Sequence, residues 1–576
     1  MIANAPTRTT TQAALQRGSK AVGDAAAAIE RLPVRAVLAG MIAIEWACVL
    51  ALARTVRHAG WIYYQGGDQL WYYSLGWLLG HGELGKTAVG SGWPVVLAPF
   101  ARIAGPNLVS ALPAIVLFNV LVLLPVAMLT LYGIATRLGG RLFGYWTLAL
   151  WIAVPFVGIA YTNLGYHQRY TELLLPQALG LTALADFPTM VAALVCVYFC
   201  VKVLFTERPQ LLDAAAAGIA AGAAIAIKPS TSLFLLGPAL AFVYHRRFTA
   251  LGVLVTAMAP ALAGLAVWKE RGLGRIPAFG NALAPEQVAA GAGVGPLGGI
   301  DLHHYLTRLN WSHLGNNLDL LREHFWSGRV LQWLVIAGLV GLARQSRTAL
   351  LLFGGTFAAF AIVKGSYANA SVEDGSVFRI MMPAFPAFIV LLASIPLLFP
   401  HAPTKLLRPR APMPVAGKPR ARLAALGAAL LVSGIAPLAA FAAARTTGGS
   451  ADVALLGAGN MPVPVDIDVG LTASVRPDGR VALRWRGARP AGGPVFYRIW
   501  RGPAAGGNGL TCEPALEARS CIVSLPSVGV ARHGSFTDKP GKGRWVYRIA
   551  VAANWLDDPA YGDVYLVSSP VRVATR

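Results

Sequence analysis

The chain has 576 residues, 56% of them hydrophobic and 13% charged, and its mean hydropathy is +0.56. Soluble domains carry roughly 25% charged residues, so the three or four soluble domains that the length alone would suggest, at roughly 150 residues each, are excluded. A net charge of +23 marks a nucleic-acid binder in a soluble protein, but here the positions of the charges point elsewhere.

Apolar runs of about twenty residues, enough to cross a bilayer, recur from Ala36 to Ala443. Eleven spans are expected, at about 36–54, 107–134, 144–161, 187–205, 213–227, 230–245, 249–268, 329–343, 349–364, 380–400 and 423–443. Lys and Arg gather in short loops that face the cytoplasm. Arg31, Arg35, Arg137, Arg141, Lys202, Arg208, Arg246, Arg247, Arg344, Arg347, Lys405, Arg408, Arg410, Lys418, Arg420 and Arg422 all fall on one side of an eleven-span topology. The expected protein is therefore a multi-pass protein of the cell membrane, with a cytoplasmic N-terminus and an extracytoplasmic tail. Of the sixteen acids in the first 446 residues, eleven lie on the outer side. The charge is an orientation signal, and nucleic acid is not an expected partner. Residues 1–35 read as a cytoplasmic arm. No cleavable signal peptide is expected, because the first apolar run starts late and is long enough to span. Cys48, Cys196 and Cys200 lie in spans, with too few further ligands for a metal site.

The first outer loop contains Trp61-Ile-Tyr-Tyr-Gln-Gly-Gly-Asp68-Gln-Leu-Trp-Tyr-Tyr-Ser-Leu-Gly-Trp-Leu-Leu-Gly80, followed by Gly90-Ser-Gly-Trp-Pro94. Asp68 follows two glycines and is expected to cap an aromatic, apolar helix that lies in the membrane interface. The alternative is an ordinary cap with no chemistry. Further along, His167-Gln-Arg-Tyr-Thr-Glu172 precedes Ala185-Asp186-Phe-Pro188, where Asp186 is expected to cap the fourth span with Pro188 in its first turn. Lys228-Pro229 joins two apolar runs, and a lysine at that depth is costly unless it is paired or faces water; a lysine snorkelling from a span end is the alternative. Arg379 precedes Ile-Met-Met-Pro383-Ala-Phe-Pro386, and its guanidinium has the fork geometry that can grip a phosphate; interfacial anchoring is the alternative. The loop 269–328 is long enough to cover a site or hold an acceptor.

These motifs resemble the GT-C superfamily of integral-membrane glycosyltransferases, which includes protein O-mannosyltransferases and aminoarabinose transferases. Its members carry an essential Asp in the first outer loop, then a juxtamembrane helix with Tyr-Tyr and a Gly-x-x-Pro stretch. Here these are Asp68, Tyr72, Tyr73 and Gly92-Trp-Pro94, with Gly-Asp-Gln standing where some members have two adjacent acids. The resemblance extends over about 36–400 and implies a sugar donor linked to polyprenyl phosphate. The acceptor would be a glycan, lipid or protein hydroxyl, attacked with inversion, with Asp68 as general base. Tyr72, Tyr73, Glu172, Asp186, Lys228 and Arg379 would bind substrate, Lys228 and Arg379 at the leaving phosphate. No cofactor is required by this scheme, and a divalent metal is left open. Two other readings stay open: a transporter or flippase using Glu45, Asp68 and Lys228, and a membrane scaffold presenting the tail.

After Arg445 the composition changes. Residues 446–461 read as a Gly- and Ala-rich linker. From 462 to 576 short alternating strands follow, such as Val481-Ala-Leu-Arg-Trp485 and Val495-Phe-Tyr-Arg-Ile-Trp500, as in a β-sandwich. This segment resembles a fibronectin type III or immunoglobulin-like module, with Tyr547 at the place of a tyrosine corner. The expected architecture is thus a polytopic α-helical domain over 36–445 and an all-β sandwich. Cys512 and Cys521 would face an oxidising compartment, where a disulfide is expected; two buried thiols are the alternative. Peptide mapping without reductant should find Cys512 linked to Cys521, and free thiols at both positions would remove the bond.

Overall fold

The computed structural model describes residues 24, 28–55, 67–84, 89–105, 108–166, 180–206, 210–273, 309–324, 328–367, 370–373, 375–398, 419–446, 453–456, 461–466, 469–486, 495–503, 522–523, 527–553 and 563–576. Glu172, Cys512 and Cys521 lie outside the described residues.

Apolar composition makes helices here because a backbone in hydrocarbon must satisfy its own hydrogen bonds. The described helices are α1 Val34–Thr55, α2 Gly67–Gly80, α3 Gly92–Ala104, α4 Ser110–Ala160, α5 Asp186–Leu204, α6 Leu211–Ile227, α7 Pro229–Tyr244, α8 Phe248–Leu273, α9 Trp311–His324, α10 Gly328–Gln345, α11 Arg347–Lys364, α12 Ser376–Leu398 and α13 Arg420–Ala443. Seven of them are long and apolar enough to cross a membrane: α1, α4, α5, α8, α11, α12 and α13. Helix α4 breaks at Gly140, whose φ of 86° is left-handed. The break separates the two spans expected at 107–134 and 144–161. The remaining expected spans fall on shorter apolar helices: α6, α7 and the part of α10 from Trp333 to Gln345.

Helix α3 was hidden in the sequence by Pro94 and Pro99 and by a length of 13 residues. Pro94 costs nothing in a first turn, where its missing N–H has no partner in any case. Helix α2 lies against α3. The bundle centre is built from Leu131, Ile134 and Ala135 of α4, Val197 and Val201 of α5, and Ala221 and Ile225 of α6, all buried. Leu121, Val122, Leu129, Val255 and Val432 point outward, as lipid-facing side chains do.

The tail forms two sheets. One has the order β10-β6-β5 (Ser535–Asp538, Val481–Arg484, Thr472–Val475). The other runs β8-β3-β4-β12-β11-β7-β9, with β13 also on β11 (Ile522–Val523, Val453–Leu456, Met461–Asp466, Asp563–Ser568, Gly543–Ala553, Val495–Pro503, Gly529–Ala531, Val571–Thr575). Val481 and Leu483 of β6 share one apolar core with Ile499 of β7 and Tyr547 and Ile549 of β11. Trp485 meets Tyr497 edge-on at 5.2 Å. The Tyr547 hydroxyl donates to Asp538 Oδ2 at 2.7 Å. Strand β3 lies in the stretch expected to be linker: a four-residue run of Val, Ala and Leu is short enough to pass for loop, and its pairing with β4 makes it a strand. Strand β4 packs on α2. The turn after α2 forms a two-residue strand, β1 (Glu83–Leu84), that pairs in parallel with β2 (Arg445–Thr446) beyond α13. The β domain is therefore attached to the helix that carries Asp68.

Helices α6 and α8 cross at Gly218, one of two glycines in Gly218-Ile-Ala-Ala-Gly222, the small-residue spacing that lets membrane helices approach closely. A Cβ at Gly218 would press into the Leu254 carbonyl. Gly218→Val should lower stability by about 2 kcal/mol through overpacking, read as a lower thermal midpoint in detergent. An unchanged midpoint would show that the helices separate at no cost.

Candidate active site

Four side chains that the sequence placed far apart meet at the ends of four helices. Asp68 sits in the first turn of α2, Asp186 is the first residue of α5, Lys228 is the C-cap of α6, and Arg379 lies in the first turns of α12. Lys228 Nζ donates to Asp186 Oδ1, and Arg379 Nε donates to Asp186 Oδ2 at 2.9 Å. Arg379 Nη2 donates to Asp68 Oδ2. One guanidinium thus bridges two carboxylates, and one carboxylate binds two cations.

Neither aspartate caps its helix as expected. Helix α2 begins before Asp68, so its carboxylate turns to Arg379. Ala185 holds the cap position of α5, without a side-chain hydrogen bond, and Asp186 is spent on its two cations. A cap is worth about 1 kcal/mol. A buried carboxylate without a cation costs several kcal/mol, so the ion pairs prevail. The two acids differ in access: Asp186 is 1% exposed and Asp68 is 45% exposed. Among the described residues, Asp68 Oδ1 has no hydrogen bond, which leaves it accessible to a hydroxyl.

Tyr72 follows Asp68 by one helical turn and is buried. Burial first, and then the Asp68 and Asp186 carboxylates, keep its hydroxyl protonated well above the usual tyrosine range, with Arg379 acting in the opposite direction. It is a neutral donor beside the cluster. Tyr73 does not join it: its hydroxyl donates to Gly105 O at 2.5 Å and ties α2 to the end of α3. Among the described residues no three His, Cys, Asp or Glu side chains come together to hold a metal, and Asp68 and Asp186 face cations instead.

Several further residues position the site, and of these only the Gly90–Pro94 stretch stood out as a motif in the sequence. The Gly90-Ser-Gly-Trp stretch presses on the last turn of α6, just before Lys228. A Cβ at Gly90 would collide with the Ala226 and Ile227 carbonyls, and one at Gly92 would stand 2.7 Å from Ile227 N. Trp93 Nε1 donates to Ala183 O at 2.7 Å, and Gln69 Oε1 accepts from Ala183 N at 2.7 Å. Asn119, buried in a π-turn of α4, donates to Gly180 O at 3.1 Å and Thr182 O at 2.9 Å. The turn that presents Asp186 is thus held from α2, α3 and α4. Asn119 had a visible signal, a carboxamide in the middle of an apolar run. Asn317 of α9 donates to Gly365 O and Ala370 O at 2.9 and 2.6 Å. It fixes the loop between α11 and α12, and so the ends that carry Lys364 and Arg379. Lys364, the last residue of α11, is buried beside this loop and had read only as a span end.

No family model matches the chain, and no curated protein does. Among solved structures, the crystal structure of the Archaeoglobus fulgidus oligosaccharyltransferase in complex with Zn and sulfate is similar at 14% identity with a TM-score of 0.33. The match covers 71% of this chain and 53% of that one, so the chain spans about half the length of the protein it matches. A likeness of that size carries no argument about activity. By its own fold, the chain is a polytopic helical membrane protein with a C-terminal β domain.

The burial difference between the acids has a direct consequence. Asp186→Asn should cost about 3 kcal/mol, because it leaves two partly buried cations with less compensation, whereas Asp68→Asn should cost about 1 kcal/mol or less. Thermal unfolding in detergent checks this, and equal losses would contradict the inferred order.

Proposed function

We propose that the chain is a membrane glycosyltransferase that moves a sugar from a polyprenyl-phosphate donor to an extracytoplasmic hydroxyl, with inversion. The observation that supports this reading most strongly is the network itself. Four residues implied by the GT-C resemblance, Asp68, Asp186, Lys228 and Arg379, come from segments up to 311 residues apart and meet in one hydrogen-bonded cluster. Every helix end in that cluster is one that the charge pattern assigns to the outer side, so the donor's carrier would lie in the outer leaflet of the cell membrane. Glu45, the acid inside the first span, is not among the partners of the four, which weighs against a mid-membrane transport path.

In this reading Asp68 Oδ1 takes the proton of the acceptor hydroxyl. The acceptor oxygen attacks the anomeric carbon, and the bond from that carbon to the phosphate oxygen breaks. Arg379 holds Asp68 in place through Nη2 and commits Nε to Asp186, and its Nη1 is in no hydrogen bond among the described residues. Nη1 and the free protons of Lys228 would meet the charge that develops on the phosphate. Asp186 is too deeply buried to reach an acceptor; it keeps both cations in position. Tyr72 would donate to the sugar or the phosphate. Glu172 is a further proposed substrate contact. The acceptor is a glycan, lipid or protein hydroxyl, and the β domain on α2 stands where it could bear on it.

Purified full-length protein in nanodiscs, supplied with polyprenyl-phospho-sugars, tests the reading. Asp68→Asn should lower the transfer rate by at least about 100-fold, the usual contribution of a positioned base, while donor binding persists. Transfer that survives Asp68→Asn unchanged removes Asp68 as the base. Donor movement across the bilayer without sugar transfer would favour a flippase.

A further inference from the structure

A second group of charged side chains lies at the other end of α5. Lys202 comes sixteen residues after Asp186, about 24 Å along the helix at 1.5 Å per residue, so this group is separate from the ion-pair network. The Tyr198 ring of α5 lies against α4 at Gly133, where a Cβ would stand 2.6 Å from the ring's Cε2. Arg137, one turn further along α4, places its guanidinium carbon 5.1 Å from the centre of the same ring, and its Nη1 donates to Gly133 O at 3.3 Å. Lys202, one turn after Tyr198, brings its ammonium to 6.0 Å from that centre and 5.2 Å from the centre of the Phe199 ring. It also donates to Asp213 in the first turn of α6. Two cations from two helices thus share one aromatic ring, whose negative face attracts both.

These contacts orient the cations without using them up. Gly133 O and the ring are neutral, so they hold Arg137 and leave its charge in place. Asp213 takes one of the three ammonium protons of Lys202, and a guanidinium has five N–H groups. Arg137, Tyr198 and Lys202 are all partly exposed, which opens them to an anion from outside the bundle.

The surroundings indicate which anion. On α4, Val126 lies three turns before Arg137 on the same side and is 36% exposed. On α5, Val195 lies two turns before Lys202 on the same side and is half-buried. An apolar seam open to lipid therefore leads along the two helices to the two cations. A free anion makes no use of such a seam, whereas a phospholipid brings hydrocarbon and phosphate in the same order. The charge pattern of the sequence assigns this end of α5 to the cytoplasmic side. We propose that Arg137, Tyr198 and Lys202 seat the phosphate of an anionic phospholipid of the inner leaflet, with an acyl chain along the seam between α4 and α5. A zwitterionic headgroup fits less well, because the cations repel its own ammonium. The seat goes beyond the glycosyltransferase reading and does not depend on it.

The test titrates full-length protein, stripped of lipid in detergent, with phosphatidylglycerol, phosphatidylcholine and inorganic phosphate as separate probes, and counts bound lipid by native mass spectrometry. Phosphatidylglycerol should bind at least about 5-fold more tightly than phosphatidylcholine, the worth of one basic residue beside an anionic headgroup. Arg137→Gln should weaken phosphatidylglycerol about 5-fold, and Arg137→Lys should keep most of its binding. Equal affinity for the two lipids overturns the proposal, as does an undiminished preference in Arg137→Gln at an unchanged thermal midpoint. Displacement of phosphatidylglycerol by inorganic phosphate at equal concentration overturns the lipid as the occupant. A phosphatidylglycerol with a diazirine close to its headgroup, irradiated on the unaltered protein, gives a reading that needs no variant and decides the matter if Arg137→Gln does not fold. The label should fall within residues 126–137 or 195–202, and labelling confined to other segments overturns the seat.

Discussion

The Asp186 carboxylate is the constraint on which the rest of the site depends. It is almost wholly buried at the end of an apolar helix, where an ionised group without partners costs several kcal/mol. Two cations from other segments meet that cost, one at the end of α6 and one at the start of α12. Because both bonds go to one carboxylate, the rotations and heights of three helices are set relative to one another. Arg379 carries the constraint one step further, to Asp68, and brings helix α2 into register with the bundle.

The backbone around this group is arranged to keep it in place. The turn before Asp186 receives hydrogen bonds from Asn119 and Trp93 and gives one to Gln69. Thr189 of α5 donates to Ala224 O of α6 at 2.8 Å, beside the glycine stretch that presses on the same helix end. The loop between Lys364 and Arg379 is fixed by Asn317. Each of these is a buried polar side chain bonded to a backbone group. The β domain adds to the same arrangement, since β4 packs on α2 and β1 pairs with β2. A soluble-looking tail is therefore part of the support for a residue at the start of α2.

Much of this was legible in the chain. Hydropathy placed the spans because hydrocarbon admits only helices with satisfied backbones, and the seven long apolar helices fall where the runs lie. Alternation placed most strands of the tail. Asp68, Asp186, Lys228 and Arg379 stood out because an acid or base beside an apolar run needs a reason. The roles first given to the two acids were local ones, helix caps. Local reasoning prefers a cap because the nearest unpaired N–H groups are in the same helix. It cannot see a guanidinium 193 or 311 residues away. Tyr73 next to Tyr72 shows the same limit: consecutive residues on a helix point in different directions, so one lies beside the cluster and the other braces α3.

By itself, then, the sequence determined the membrane body, the uneven placement of its charges between the apolar runs, the β character of the tail and the small set of polar residues that apolar surroundings make expensive. Those properties are written in composition and period, which depend on near neighbours. Only the tertiary structure decided that four of those residues form one network, with Asp186 the buried anchor and Asp68 the accessible acid. Those outcomes depend on burial and on partners far along the chain, and a charge has no defined energy until its surroundings exist.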